Sequence, residues 1–213
     1  ETKAVAGFLL SHPNVHGAQL HHTAAGMILR ASARYSDEEI PRLDRRAYDA
    51  IGAIGSATTG FRCFSPFHSN PYQPGKPSFG IESDWLYDHL GVLAFMTELW
   101  GLAHRAGITW DNYIELEDAR TEESDRQILR LLDEEADGRG VVPWKSFDHP
   151  QLGPVELGGF EEKFGLMNPP GPLLPREIER AVPFAIGAMG VAPRLRVIDS
   201  GTEQIAADVW RVW

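Results

Sequence analysis

Apolar and polar positions along the chain change period several times, and each change marks an element. Ala4, Val5, Phe8 and Leu9 fall on one stripe at helical spacing, and Pro13 and Asn14 stop it, which predicts a short opening helix. From Val15 the period drops to two. Ala18, Leu20 and His22 alternate with their neighbours, a small-residue bend follows at Ala24 to Gly26, and an apolar run resumes over Met27 to Arg30. That pattern predicts a strand ending in a loop. Helical spacing returns over residues 37–55 through Ile40, Leu43, Ala47 and Ile51, with Asp37 placed to cap it, and residues 58–67 read as a strand.

Residues 65–82 carry four prolines and two glycines with little periodicity, which predicts a long irregular loop. A short helix then opens at Ser83 or Asp84 as cap and closes at Gly91, and the apolar run of residues 92–99 follows as a strand that contains one glutamate, Glu98. Residues 101–160 read as an inserted elaboration. Within it, residues 121–137 form an amphipathic helix with Ile128, Leu129, Leu131 and Leu132 inward, and residues 144–160 are irregular and turn-rich. Residues 173–190 read as a helix interrupted or kinked at Pro183. Two alternating runs close the sequence, Leu195/Val197 and Val209/Trp210/Val212, and predict the beginning of a β module over residues 194–213. Strands that alternate with helices over residues 1–193 predict an α/β sandwich around a parallel or mixed sheet. In such sheets ligands sit beyond the carboxyl ends of strands, where His22 and Glu98 both fall.

Composition narrows the functional classes. The 213 residues are 43% hydrophobic and 23% charged, a balance that supports one sizeable core. A formal net charge of −10 argues against nucleic acid as a partner, since phosphate binding wants a clustered basic surface. No stretch approaches the ~18 apolar residues of a membrane span. The single cysteine, Cys63, excludes an intrachain disulfide and reads as a buried thiol.

The run from Asp84 to Trp100, together with the Leu20 to Arg30 segment about sixty residues earlier, resembles the second half of a zinc metallocarboxypeptidase catalytic domain of the carboxypeptidase A type, peptidase family M14. In that family a histidine followed by Ser or Thr ends a strand as the third zinc ligand, which here falls on His22 before Thr23. A later Asp-Trp-x-Tyr leads, fourteen residues after the Asp, to the catalytic glutamate, and Asp84 to Glu98 keeps that spacing. The resemblance implies a partial carboxypeptidase-type α/β/α sandwich over residues 1–193. It also implies a zinc cofactor, and the C-terminus of a peptide or protein as substrate.

On that resemblance Glu98 is the general base and acid, taking a proton from the attacking water and passing it to the leaving amine. Its alternative is a strand-end carboxylate facing solvent or capping a salt bridge. His22 is the metal ligand, while the alternation puts His21 on the opposite face. Tyr72, twelve residues before Asp84, matches the mobile tyrosine that closes over the substrate, and its alternative is a loop aromatic packed on the surface. Ser83 and Leu29 fall at positions that line the side-chain pocket. Trp85, Tyr87, Asp88 and His89 are expected to pack or orient their helix.

The sequence departs from the family pattern in one respect. None of its eight histidines is followed three residues later by glutamate, so the His-x-x-Glu that supplies the first two zinc ligands is missing. The expectation is a C-terminal portion of a longer enzyme, or a chain whose other half is supplied separately; a first residue other than Met favours the former. Taken alone, the chain is expected to be inactive. Two rival readings accompany this one: a non-catalytic peptide-binding module of the same fold, and a zinc amidase or deacylase acting on cell-wall or small acyl substrates. Relatives of this kind are often exported, which favours a secreted or periplasmic setting. The closing β ribbon, ending in Trp210 and Trp213, is expected to drive self-association.

Overall fold

The computed structural model describes residues 1–69, 75–108, 121–191 and 196–213. Four strands form one sheet: β1 (Gly17–Thr23), β2 (Met27–Arg30), β3 (Arg62–Phe64) and β4 (Leu93–Leu99), in the order β1-β4-β2-β3. β1 runs parallel to β4, β2 antiparallel to β4 and parallel to β3, so the sheet is mixed. The Met27 to Arg30 run is therefore a second strand, which turns back at Gly26 to lie on the far side of β4.

Helices cover both faces, and the reason lies in strand alternation. Phe95 and Ile28 point to the face taken by α2 (Arg42–Thr59) and a later long helix, where they pack with Tyr48, Ile51 and Phe184. Ala94 points the other way, to Leu86 of α4 (Glu82–Leu90), with Ala18, Leu20 and Leu9 of α1 (Thr2–Leu10) beside it. Close packing of α2 depends on Gly55: a Cβ there would stand 2.7 Å from Ile28 Cδ1 and 2.8 Å from the Phe184 ring. Helix-spaced residues in this part of the chain thus form α2, but its buried face is Tyr48, Ile51, Gly52, Gly55 and Thr59. Leu43 is 70% exposed and does not belong to that stripe. Asp37 caps nothing; it is drawn instead into a two-point pair with the buried Arg30, Nη1 to Oδ1 at 2.8 Å and Nη2 to Oδ2 at 2.5 Å. A buried guanidinium needs a fixed countercharge more than the helix needs a cap.

Of the loop expected over residues 65–82, residues 70–74 lie outside the described residues, and Pro66–Ser69 form a helical turn, α3. α4 ends at Gly91, whose φ of 66° is the left-handed C-cap conformation, as its sequence predicts. Its start differs. Ile81 is the N-cap without a side-chain cap, and Ser83 and Asp84 lie inside the first turn, both buried.

A second cluster gathers around Trp100. Its indole Nε1 donates to Gly165 O at 2.7 Å, and Leu102 of the short α5 (Leu102–Arg105), Ile128, Leu131 and Leu132 of α6 (Glu122–Ala136), and Leu173 surround it. Thr121 and Ser124 cap α6 reciprocally, and Leu129 of the expected inward set is exposed because it lies off the buried stripe. Residues 144–160 are not irregular. They belong to an antiparallel hairpin, β5 (Val141–His149) with β6 (Gly153–Phe160), whose irregular pairing after Val142 had hidden its period-two signal. α7 (Leu174–Gly190) runs through Pro183 without interruption. Its start is tied to α5 by a buried ion pair between Arg105 and Glu177.

The closing strands are β7 (Thr202–Ala206) and β8 (Val209–Val212). Of the first run expected there, Val197 is 81% exposed and outside any strand, while Leu195 lies outside the described residues. The hairpin instead recruits residues 202–206, polar at Thr202, Glu203 and Gln204, around the tight turn at Asp208, and its Trp210 and Val212 remain exposed.

Candidate functional site

Register alone brings the two strand-end candidates together. His22 is the Cα partner of Glu98 in the parallel β1·β4 ladder, so both side chains leave the same face at the carboxyl ends of adjacent strands. His22 Nδ1 lies 3.7 Å from Glu98 Oε1. The backbone holds this end of the sheet firmly. Gly26 N donates to Glu98 O at 2.8 Å, and Thr23 Oγ1 reaches Met167 O. Gly26, at φ 69°, permits the turn between β1 and β2 and lets Gly101 approach so closely that a Cβ would stand 2.7 Å from its Cα.

Both side chains open into a cavity of about 1050 Å³ on the α4 face of the sheet. Its floor follows from the alternation. Met27 pairs with Glu98 and Leu29 with Met96 across β2·β4, and Leu29 pairs with Phe64 across β2·β3. One step along the sheet from Glu98 there is thus a row of Leu29, Met96 and Phe64, uncharged and apolar. Ile81, Trp85 and Phe79 supply part of the wall.

Glu98 is mostly withdrawn from water, with 18% of its side chain exposed, whereas His22 is half-exposed. Burial raises the Glu98 carboxyl above the usual glutamate value, and the nearby imidazole pulls in the opposite direction without overcoming it. A carboxyl tuned upward beside a nitrogen base, at the mouth of an apolar cavity, is suited to accept a proton and release it again.

Asp84 does a different job. Its carboxylate accepts from Ala33 N at 2.9 Å and from Ser32 Oγ at 3.3 Å, pinning the start of α4 to the segment that leaves β2. Burial still dominates, so its carboxyl too is raised. Ser32 in turn accepts from Arg34 N at 2.9 Å. The wall of the cavity between β2 and α4 is therefore a hydrogen-bonded unit centred on Asp84. Tyr87 and Asp88 orient their helix, through Tyr87 Oη to Asp44 at 2.8 Å and Arg34 Nη1 to Asp88 at 2.9 Å. Trp85 and His89, expected only to pack, also line the cavity.

His22, Glu98 and Leu29 meet in this one cavity. Ser83 is 2% exposed and is not among the lining residues. Tyr72 lies outside the described residues. Sequence reasoning missed Phe64 and Arg34, which carry no local signal; Met96, two residues before Glu98, follows from the strand alternation.

The zinc site that the resemblance implies needs three protein ligands. Among the described residues no group of three or more His, Cys, Asp or Glu side chains is disposed to hold a metal ion. His22 and Glu98 offer one imidazole and one carboxylate, which do not by themselves fit that ion. No helix among the described residues is long and apolar enough to cross a membrane. No protein-family model matches the chain, and no curated protein matches it.

Proposed function

We propose that this chain is part of a metallocarboxypeptidase-type hydrolase that cleaves C-terminal peptide bonds, with Glu98 as its general base and acid. The observation that carries the reading is the His22–Glu98 pair, 3.7 Å apart on one face at the ends of parallel strands and open to the apolar cavity. The carboxypeptidase-type α/β/α arrangement and the zinc dependence belong to the same proposal. His22 would be one ligand, and the others must come from polypeptide beyond the described residues.

The chemistry assigned to this chain is a proton relay. Glu98, as carboxylate, takes a proton from water while the water oxygen bonds to the scissile carbonyl carbon. The same proton then passes to the amide nitrogen as the C–N bond breaks, leaving a free amine and a new carboxylic acid, which gives up the water's remaining proton to solvent. The raised Glu98 carboxyl suits the second half of that cycle, because it holds the transferred proton more tightly than an ordinary glutamate until the amide nitrogen takes it. Leu29, Met96 and Phe64 take the side chain of the departing residue and keep bulk water from the proton in transit.

The test uses the protein expressed from its entire reading frame, loaded with zinc, and assayed for release of a C-terminal amino acid from N-blocked dipeptides. Glu98→Gln is expected to lower kcat at least ~100-fold while leaving KM and zinc content nearly intact. Undiminished kcat in the metal-loaded Glu98→Gln variant would remove Glu98 from the mechanism. Peptide binding without turnover in the unmutated protein would establish the rival reading, a non-catalytic binding module.

A further inference from the structure

The cavity is graded along the sheet. β2 runs antiparallel to β4, so the chain leaving β2 at Arg30 moves away from Glu98 toward the start of β4. Four residues on comes Arg34, which lines the same cavity beyond the row of Leu29, Met96 and Phe64. Among the described lining residues Arg34 is the only side chain with a permanent positive charge.

Its environment is built rather than accidental. Arg34 N donates to Ser32 Oγ at 2.9 Å, and its Nη1 donates to Asp88 Oδ2 at 2.9 Å. The other oxygen of Asp88 accepts from Tyr35 Oη at 2.6 Å, which fixes that carboxylate in turn. Among the described residues the guanidinium donates through Nη1 alone, so the Nε and Nη2 edge keeps its donors. That edge is the side-on fork that matches a carboxylate with two parallel hydrogen bonds. The remaining charges sharpen the choice. Glu98, Glu82 and Glu1 repel an anion elsewhere in the cavity, and Asp84 is occupied by Ala33 and Ser32, so Arg34 is the permanently charged side chain at which an anionic group gains.

We propose that Arg34 is a specificity-determining residue that receives a carboxylate on the side chain of the substrate's terminal residue, across the apolar row from Glu98. This inference rests on the hydrolase reading for what reacts at Glu98. Its binding claim is tested separately.

The test is calorimetric titration of the full protein with N-acetylglutamate and N-acetylglutamine, which share a main chain and differ only at the side-chain terminus. Binding of the glutamate probe is expected to be at least about tenfold tighter, and Arg34→Gln should bring the two within about twofold of each other. Asp88→Asn breaks the brace without removing the cation, and should retain a preference for glutamate. Should the Arg34→Gln variant fail to fold by circular dichroism, Arg34→Lys replaces it; losing the fork should reduce the preference at least about threefold. Equal binding of the two probes by the unmutated protein, or a preference that survives loss of the fork in full, overturns the assignment. Arg34-dependent binding without any peptidase activity would refute the hydrolase reading and keep this one, whereas hydrolysis without a glutamate preference would do the reverse.

Discussion

Asp84 offers the sharpest test of how the cavity wall is held. Asp84→Ala removes the acceptor of Ala33 N and Ser32 Oγ in a place where Asp84 is 4% and Ser32 0% exposed. The Ser32 hydroxyl can rotate toward another acceptor, but the Ala33 N–H cannot, and one orphaned buried donor costs about 1–3 kcal/mol. A second effect opposes this cost. Burial raises the Asp84 carboxyl, so its hydrogen bonds do not fully offset the loss of water around the charge. Asp84→Asn separates the two, because it keeps an acceptor for Ala33 N and discards the charge. We expect Asp84→Ala to lose about 2 kcal/mol near neutral pH, or roughly 4–8 °C in Tm for a chain of this size, and Asp84→Asn to lose less than half of that. The pH dependence carries a definite sign. Since the native carboxyl holds its proton more tightly than the unfolded one, its contribution to stability is fully present below the unfolded value and is lost as pH rises through the native value. The Asp84→Asn variant lacks that loss, so its deficit relative to the unmutated protein should shrink as pH climbs from the ordinary aspartate range. Glu98 titrates in the same direction but is common to both proteins and cancels in the difference. Urea unfolding at a series of pH values, with the m-value checked for constancy, is the assay. An Asp84→Ala variant within about 0.5 kcal/mol of the unmutated protein, or an Asp84→Asn deficit that grows with pH, would show that the wall does not hang on this carboxylate.

Two further predictions concern the helices and the closing hairpin. Phe184, 1% exposed on α7 with its ring 5.7 Å from that of Phe95, should cost about 3–5 kcal/mol when replaced by Ala. Ile186→Ala on the same helix, at a residue 59% exposed, should change stability by less than ~0.5 kcal/mol, and similar losses at both positions would mean that α7 does not pack through the Phe184 face. Trp210, Val212 and Trp213 are each more than half exposed on a two-stranded ribbon with open edges, so truncation after Pro193 should reduce concentration-dependent self-association in light scattering. Equal scattering with and without residues 194–213 would place the cause of any association elsewhere.

Much of the local structure was legible from the sequence, because it depends on interactions only a few residues apart. Alternation exposed β1, a continuous apolar run exposed β4, Gly91 announced the end of α4, and the acidic start and apolar stripe of residues 121–137 announced α6. Local signals also misled where a distant group outbid them. Asp37 has the composition of a cap, yet Arg30 claims it; Leu43 has the spacing of a core residue, yet α2 turns its Tyr48 and Gly55 face to the sheet because only glycine admits Phe184. Residues 144–160 lost their strand signal to the irregular pairing after Val142.

Within the site the division is the same. The sequence alone nominated His22 and Glu98, since strand-end position and the spacing from Asp84 are properties of the chain. Their pairing was decided by tertiary structure, because the register of two strands more than seventy residues apart is set by which faces the sheet must bury, and a slip of one residue would have turned Glu98 to the opposite face. The apolar row of Leu29, Met96 and Phe64 and the cation at Arg34 come from four separate segments that touch only once β2 lies between β3 and β4. A cavity is a property of surfaces facing one another across the fold, and no spacing along a single chain encodes it.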